Sequence, residues 1–469
     1  MFHIGSFYYR IRSGFWAALC PVFLAAAVLL LPAFSVSASE TWRTYVLACP
    51  FLTVTDVIGP DALLAAVRGE PEDGAEIRSV TLSPDAAADL TFFAGQSGVI
   101  SVSDAADRIL REGAVSDCAV LPADAADPTL KVIRVGETPY PWDADYDPAA
   151  DILAAPGRPE NFSREKVTTV LLTGTTALAR TVAWEMAEKG AEYPGSLIRP
   201  VFTAADISHI SNESSIWSLC PVPRQDNRSI QFCSNLSAYA LIDYLGVDVI
   251  ELSGNHLRDY DWMPLLEMLD EFDKRDIAYY AAGRTYEEAA EPLLIEHNGN
   301  RFAFVGCNFA GPDHVFVDDK HPGVNRCDPD AFETQIRELR DDGYLVIATI
   351  QYYETYSRKP SEIQERDFKR FSEAGAAVVS GSQAHLPQTM LPSHERFIHY
   401  GLGNLFFDQM DVPVKGTRQE FLDRYVFYDG RLLSVQLVTA LLEDYSRPRL
   451  MSGDERADFL KEVFEKCDF

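Results

Sequence analysis

The sequence predicts an α/β protein, with a larger part built from strands covered by helices on both faces and a smaller α/β domain before it. The length of 469 residues is enough for two or three domains. Hydrophobic residues make up 47% of the chain and charged residues 24%, which is typical of a globular protein. From Val167 onward, strand-like runs alternate with helical patterns, as in sheets that bury both faces.

The strands of the larger part are predicted by short buried runs. Each run is rich in β-branched or aromatic residues and is followed by a polar or glycine-containing loop. The runs are VTTVLL, DVIEL, RFAFVG, YLVIATIQ, AAVVS and RFIHY, which begin at residues 167, 248, 301, 344, 376 and 396.

The helices of the larger part are predicted from their ends. Asp328 and Pro329 provide a cap and a first helical residue. Ser361 and Gln364 form a capping-box pattern for a helix that stops at Gly375. Two further helices are predicted at 236–246 and 262–272.

The chain before residue 167 has a different composition. Residues 41–155 are rich in Ala and Asp and contain the strand-like runs TYVLA, LTFFA and LKVIRV, so a small α/β domain is expected there. The acidic, proline-bearing stretch 140–166 is interpreted as a linker. The larger domain is expected to span 167–445, followed by a C-terminal tail at 446–469.

The N-terminus has the features of an export signal. Arg10 and Arg12 precede an apolar run over residues 15–34, and small residues stand at positions 36 and 38. Residues 1–38 are therefore predicted to be a signal peptide. The run is also long enough for an uncleaved membrane anchor, so both alternatives stay open. Either one predicts an extracytoplasmic protein that is secreted, periplasmic or membrane-anchored.

Export changes how the eight cysteines are interpreted. In an oxidising compartment, cysteines that flank polar loops are disulfide candidates, although sequence alone does not fix their pairing. The main candidates are Cys220 with Cys233 and Cys307 with Cys327, while Cys49 and Cys118 are a further pair that leaves Cys467 single.

The formal net charge of -29 excludes functions that rest on nonspecific attraction to nucleic acid or another polyanion. An anionic ligand would have to be held locally, by a few positive groups or by a metal. Arg180 is a candidate for such a group, and a surface salt bridge is its alternative role.

Polar residues follow several of the predicted strands. Ligands of α/β sheets bind at the carboxyl ends of strands, where loops converge. The residues at these positions are Asn255, His256, Glu354, His385 and Asn404.

Six segments in order resemble one family. They are GTTALAR, SNESS, LGVDVIELSGNHLRDYD, QYYETY, GSQAH and IHYGLGNLFFDQ, and together they resemble the CapA capsule-synthesis (poly-γ-glutamate) family over about residues 167–410. The resemblance implies the calcineurin-like metallophosphatase fold, a four-layer sandwich of two sheets flanked by helices.

The resemblance also implies roles for individual residues. Glu213, Asn255 and His385 match metal ligands of the family, which hold ions that activate water. His256 matches a catalytic histidine that serves as a general acid or anion partner. Asp259 would orient it, as carboxylates near site histidines commonly do.

Three expected ligands are replaced by neutral residues. Thr175, Gln351 and Gln383 stand where the family has Asp, His and His, and they hold a metal pair poorly. One divalent ion, Mn, Mg or Ca, is one expectation, and no ion is the other. Glu354 and Asn404 complete the expected ligand pocket.

Two functions follow from the resemblance. The first is an extracytoplasmic protein of capsule, poly-γ-glutamate or other cell-envelope polymer biosynthesis, with metal-dependent hydrolysis of a phosphoester or γ-glutamyl-type bond as its expected chemistry. The second is a non-catalytic protein that keeps the fold and binds a ligand. The expected partner is a cell-envelope polymer or a small anionic ligand in both cases.

Overall fold

The computed structural model describes residues 41–94 and 116–468. The predicted signal peptide or anchor at 1–38 lies outside these residues. None of the helices in the two described ranges is both long and apolar enough to cross a membrane.

The strands are numbered in chain order. They are β1 (Trp42–Pro50), β2 (Val57–Ile58), β3 (Ser79–Leu82), β4 (Asp117–Pro122), β5 (Leu130–Val135), β6 (Ala154–Pro156), β7 (Val167–Thr173), β8 (Thr175–Thr176), β9 (Ile207–Asn212), β10 (Val249–Glu251), β11 (Ala278–Tyr280), β12 (Ala282–Gly283), β13 (Leu293–His297), β14 (Asn300–Asn308), β15 (Gly323–Val324), β16 (Leu345–Thr355), β17 (Ala376–Ala384), β18 (Met390–Ser393), β19 (Arg396–His399), β20 (Asn404–Phe406), β21 (Gln419–Tyr428), β22 (Arg431–Glu443) and β23 (Arg447–Leu450).

The α-helices of the described residues are numbered in the same way. They are α1 (Pro60–Arg68), α2 (Pro84–Asp89), α3 (Arg180–Lys189), α4 (Arg199–Thr203), α5 (Ser237–Leu245), α6 (Trp262–Arg275), α7 (Tyr286–Ala290), α8 (Pro329–Asp341), α9 (Glu362–Ala374) and α10 (Gly453–Phe464).

These strands form three main sheets. Sheet I has the order β2-β5-β1-β4-β3, with β6 also paired to β1. Sheet II has the order β11-β10-β9-β7-β21-β22-β23, with β8 also paired to β9 and β20 paired to β8. Sheet III has the order β13-β14-β16-β17-β19-β18. The strands β7, β9, β10 and β11 run parallel, as do β14, β16, β17 and β19.

Sheets II and III pack face to face and are covered by helices. Helices α3, α5 and α6 bury their apolar faces against sheet II. Helices α8 and α9 cover the outer face of sheet III. The layer between the sheets contains Val170, Leu172, Phe304, Ile347, Phe397 and Tyr425. The predicted four-layer arrangement, preceded by a smaller α/β unit, is therefore confirmed.

The predicted helix ends are mostly found, with one difference. Asp328 caps α8 by accepting hydrogen bonds from the next turn, and Ser361 Oγ accepts from Gln364 N at the start of α9. The Gln364 side chain, however, donates to Tyr400 O and Gln388 Oε1 at 2.8 and 3.0 Å. The predicted reciprocal capping box is replaced by a tie between α9 and sheet III.

One predicted strand in the first part is wrong. The run LTFFA contains a 3-10 turn at Thr91–Phe93 instead of a strand, and it follows α2 directly. A short, mostly apolar run does not by itself distinguish a strand from a helical turn. The predicted linker 140–166 contains β6, and the predicted tail 446–469 contains β23 and α10. The domain boundaries themselves stay predictions.

Three disulfides join the candidate cysteines of the described residues. They link Cys49 to Cys118, Cys220 to Cys233, and Cys307 to Cys327. Cys467 is free and partly buried. Disulfides of this number are typical of proteins that fold in an oxidising compartment.

A cluster of charged side chains joins sheet I to helix α10. Arg456 on α10 donates to both carboxylate oxygens of Asp56, and Lys131 Nζ of β5 lies 2.7 Å from Asp56 Oδ1. Burial favours the neutral acid, but the Arg456 and Lys131 charges outweigh it and lower the pKa of Asp56 to about 2. Burial lowers the pKa of Lys131 to about 8, so both groups remain charged at neutral pH.

Replacing Arg456 with Met is expected to lower the free energy of unfolding by about 1 kcal/mol near neutral pH, because Asp56 is only partly exposed. Since the folded-state pKa of Asp56 is about 2, below its ordinary 3.8, this stabilisation is complete above the ordinary value and is lost as the pH falls through about 2. Chemical denaturation of both proteins over a series of pH values measures the difference.

The matched control is Arg337→Met, which breaks an exposed pair with Glu333 within α8 and should cost less. A destabilisation by Arg456→Met that stays constant down to the lowest pH would contradict the assignment.

Candidate functional site

The predicted site residues lie at the carboxyl ends of strands from both central sheets. In sheet II, Thr175 pairs with Ser211 of β9 and with Asn404 of β20. In sheet III, Gln351 of β16 pairs with Ser382 of β17. The two sheets therefore bring their polar ends to one edge, as expected for α/β proteins.

Glu213 is a buried acid at the centre of this edge. Its side chain is 2% exposed, and neither carboxylate oxygen has a hydrogen-bond partner among the described residues. Burial raises the pKa of Glu213, while the charges of His256, His385 and Arg180 oppose that shift. A buried acceptor without a partner is costly and marks a place where a ligand can bind.

The loop that carries Asn255 and His256 passes directly over Glu213. A Cβ atom at Gly254 would lie 2.4 Å from the Glu213 Cα, so only glycine allows the two backbones to approach this closely. The glycine of the GNH motif thereby brings the following two residues to the buried acid.

His256 and Asp259 form a hydrogen-bonded pair. His256 Nδ1 lies 2.6 Å from Asp259 Oδ2, and the same oxygen accepts a hydrogen bond from Phe232 N at 2.7 Å. Burial lowers the pKa of His256, but the hydrogen bond to Asp259 and the nearby charge of Glu213 outweigh it, so the pKa is raised. The predicted orienting contact is present, and it leaves Nε2 of the ring for a ligand.

Asn255 and Gln351 are joined across the two sheets. Gln351 Nε2 donates to Asn255 Oδ1 at 2.7 Å, and Gln351 is 2% exposed. The Oδ1 atom of Asn255, a predicted metal ligand, therefore already accepts a hydrogen bond from the Gln351 amide. The pair is neutral, because an amide stands where the resemblance places a histidine.

His385 lies on the sheet III side of the site. Its Nδ1 is 2.8 Å from Asn404 Oδ1, and its Nε2 is 3.9 Å from Glu354 Oε1. Glu354 is more than half exposed and accepts a hydrogen bond from Tyr356 at 2.9 Å. His385 is therefore oriented by Asn404, while Glu354 lies at the rim.

Gln383 is held in an unusual backbone conformation. Its φ is +75°, and its N donates to Thr175 Oγ1 at 3.3 Å. Its Oε1 is buried without a hydrogen-bond partner in the described part of the chain. Residues with positive φ that are not glycine cost free energy and cluster at functional sites. Thr175 and Gln383 thus contact each other at the positions of two replaced ligands.

An aromatic wall links the two histidines. Phe232 stacks on His256 with ring centroids 3.9 Å apart, and Phe407 contacts His385 at 4.8 Å. Phe232 and Phe407 meet edge to face at 5.7 Å. The guanidinium of Arg180 lies over both rings, at 4.6 and 5.3 Å, as a cation–π contact.

Arg180 is also paired with Asp408, which accepts hydrogen bonds from the guanidinium and from Thr181 N. Arg180 therefore lies at the site and is mostly buried, as its predicted anion-binding role requires, although one carboxylate already shares its charge. Sequence reasoning missed Asp408 and Phe232. Asp408 follows Phe407 in the segment LFFD, but Phe232 lies in a disulfide-closed loop with no recognisable motif.

The donor set does not fit a two-metal centre. Thr175, Gln351 and Gln383 are neutral, and Asn255 is engaged by Gln351. Within residues 41–94 and 116–468, no group of three or more His, Cys, Asp or Glu side chains is placed to hold a metal ion. A metal pair requires several charged or imidazole ligands. Whether a single ion binds stays a prediction.

The fold and the site define an α/β sandwich protein with a polar, aromatic-walled site at the edge shared by two sheets. The sequence model of the family described as "Bacterial capsule synthesis protein PGA_cap" matches residues 169–409, more than half of the chain. The chain therefore belongs to this bacterial capsule synthesis family.

Two relatives carry related names. The chain is 24% identical over 237 residues to "PGA biosynthesis protein CapA" of Bacillus subtilis (strain 168), covering 50% of this chain and 62% of that protein. It is 27% identical over 187 residues to "Capsule biosynthesis protein CapA" of Bacillus anthracis, covering 39% and 46%. The chain thus spans less than two thirds of the length of either relative.

The similarity of the chain to solved structures is weak. A hypothetical protein from Thermus thermophilus has a TM-score of 0.36 at 14% identity, covering 58% of this chain and 98% of its own. A 5'-nucleotidase precursor from the same organism has a TM-score of 0.34 at 14% identity, covering 64% and 58%. Family membership follows from the sequence match instead.

Replacing Glu213 with Gln is expected to raise the free energy of unfolding near neutral pH by about 1 kcal/mol or more, because ionisation of this buried carboxyl group, which has no hydrogen-bond partner in the described residues, is unfavourable. The raised pKa of Glu213 means that wild-type stability falls as the pH rises above the ordinary value of 4.5. The gain should therefore be smallest below that pH, which denaturation at several pH values measures.

Glu354→Gln at the exposed rim is the control and should change little. The opposite result would be a Glu213→Gln variant that is less stable than the wild type. If treating the wild type with EDTA removes that difference in stability, the Glu213 carboxylate holds a cation.

Proposed function

We propose that this chain acts outside the cytoplasm in the biosynthesis of a capsule, of poly-γ-glutamate or of another anionic cell-envelope polymer. Membership of the capsule synthesis family supports this, and so do the names of the two Bacillus relatives. The three disulfides support a location in an oxidising compartment. The predicted signal peptide or anchor gives the route there.

The site is suited to an anionic chain that also carries amide groups. Arg180 is positively charged, and the raised pKa of His256 favours its protonated, positive form. These two groups can hold a carboxylate locally, although the net charge of the protein is -29. The observation that carries the proposal is Glu213, because its two free, buried oxygens can accept amide N–H donors. A γ-glutamyl polymer presents both groups in each unit.

Two modes of action are compatible with this ligand. The His256–Asp259 pair favours an enzyme, since an oriented histidine with a raised pKa can donate a proton to a leaving group. The neutral side chains of Thr175, Gln351 and Gln383 favour a binding protein, because the donor set does not fit the ions that would activate water. We propose binding as the principal role.

Isothermal titration of poly-γ-glutamate oligomers into the purified full chain tests the binding site. Glu213→Gln, Arg180→Gln and His385→Gln are each expected to weaken affinity by roughly tenfold or more, as lost hydrogen bonds to charged groups commonly do. Arg337→Gln is the control, because Arg337 lies on helix α8, outside the site, and pairs with Glu333 of the same helix.

Unchanged affinity in the three site variants, or an equal loss in Arg337→Gln, would place binding elsewhere on the protein. A wild-type protein that binds no oligomer would overturn the proposed ligand.

Incubation of the polymer with the full chain and added Mn²⁺ separates the two modes of action. We expect the polymer to keep its chain length on size-exclusion chromatography, because neutral residues replace three of the ligands. Shortening that is lost in His256→Ala and in EDTA would establish the hydrolase instead.

A further inference from the structure

The loop between Cys220 and Cys233 has two different parts. Its middle is exposed to solvent, with Val222 83% and Ile230 81% exposed. Its end is buried, since Phe232 is only 5% exposed and lies next to the disulfide. The loop therefore places one aromatic side chain in the protein while the rest of it remains at the surface.

Phe232 contacts both members of the histidine–aspartate pair. Its ring stacks on the His256 imidazole, with an interplanar angle of 24° and centroids 3.9 Å apart. Its backbone N donates to Asp259 Oδ2 at 2.7 Å, the oxygen that also holds His256 Nδ1. The neighbouring Gln231 donates from Nε2 to the Asp259 carbonyl at 3.3 Å. Ring and backbone of one residue thus fix the plane of the imidazole and its orienting carboxylate.

The Phe232 ring has two further neighbours. Phe407 meets the ring edge to face, and the Arg180 guanidinium lies over it at 4.6 Å. The ring therefore packs against His256, Phe407 and Arg180 together. A smaller side chain would leave the imidazole without its stacking partner.

The chain next to Phe232 is anchored at one place. The disulfide joins Cys233 to Cys220, Ser234 N donates to Ser215 O at 2.9 Å, and the hydroxyls of Ser214 and Ser234 are 2.8 Å apart. Because most of the loop is exposed, the disulfide and these hydrogen bonds together limit the freedom of the segment that enters the site.

We propose that the disulfide-closed loop 220–233 is part of the site, and that Phe232 is a positioning residue that sets the orientation of His256 and Asp259. The Cys220–Cys233 disulfide holds Phe232 against the imidazole. The identity of the ligand whose affinity should depend on Phe232 rests on the proposed function. The arrangement of Phe232, His256 and Asp259 does not.

Proton NMR of the His256 ring, assigned with His256→Gln, tests the arrangement in the full chain. The stacked ring of Phe232 should shift the His256 resonances upfield, and Phe232→Leu should abolish that shift. The same variant should weaken binding of poly-γ-glutamate oligomers roughly two- to twelvefold, the worth of one aromatic pair. Phe232→Tyr, which keeps the ring, should restore both properties.

The double variant C220S/C233S should behave like Phe232→Leu, while C49S/C118S in sheet I is the matched control and should leave the His256 resonances unchanged. Unaltered resonances in Phe232→Leu, or a failure of Phe232→Tyr to restore them, would overturn the proposal. If the double variant does not fold, the two Phe232 variants decide the outcome. If wild type binds no oligomer, the proposed function fails and the NMR comparison still tests the positioning role.

Discussion

The apolar layer between sheets II and III is the interaction on which the site depends. Glu213 and His256 come from sheet II, whereas Gln351 and His385 come from sheet III. No short segment of chain links these two groups, so their spacing is set by the buried side chains that keep the sheets face to face. A protein interior is packed closely and deforms little, which allows hydrogen bonds across the sheets, such as that between Asn255 and Gln351, to form reproducibly.

The site replaces charged ligands by contacts among neutral groups. Thr175 contacts Gln383, and Gln351 contacts Asn255, so each replaced position has a protein partner. The ionisable side chains at the site are Glu213, His385, His256 with its Asp259, and Arg180 with its Asp408. These residues include both hydrogen-bond acceptors and cations, which is the basis of the proposed binding of an amide-bearing anionic polymer.

Much of the fold could be predicted because its signals are local. Buried runs such as VTTVLL and a cap such as Asp328 act within a few residues, and the structure contains both. The site residues of the quoted motifs also fall at one edge, because the carboxyl ends of parallel strands must converge there. Contacts set by tertiary packing were missed. Phe232 contacts His256 from a different loop, and the Gln364 side chain donates to sheet III instead of capping its own helix. Neither contact has a signature in the local sequence.

The position of β7 has a consequence for the order in which the protein folds. This first strand of the larger part lies between β9, which follows soon after it, and β21, which is separated from it by most of the larger part. Its hydrogen-bonding edge toward β21 therefore stays open while the intervening chain is synthesised, and pairing over such a separation is slow. The final compaction of the larger part is therefore expected to wait until β21 is available to pair with β7.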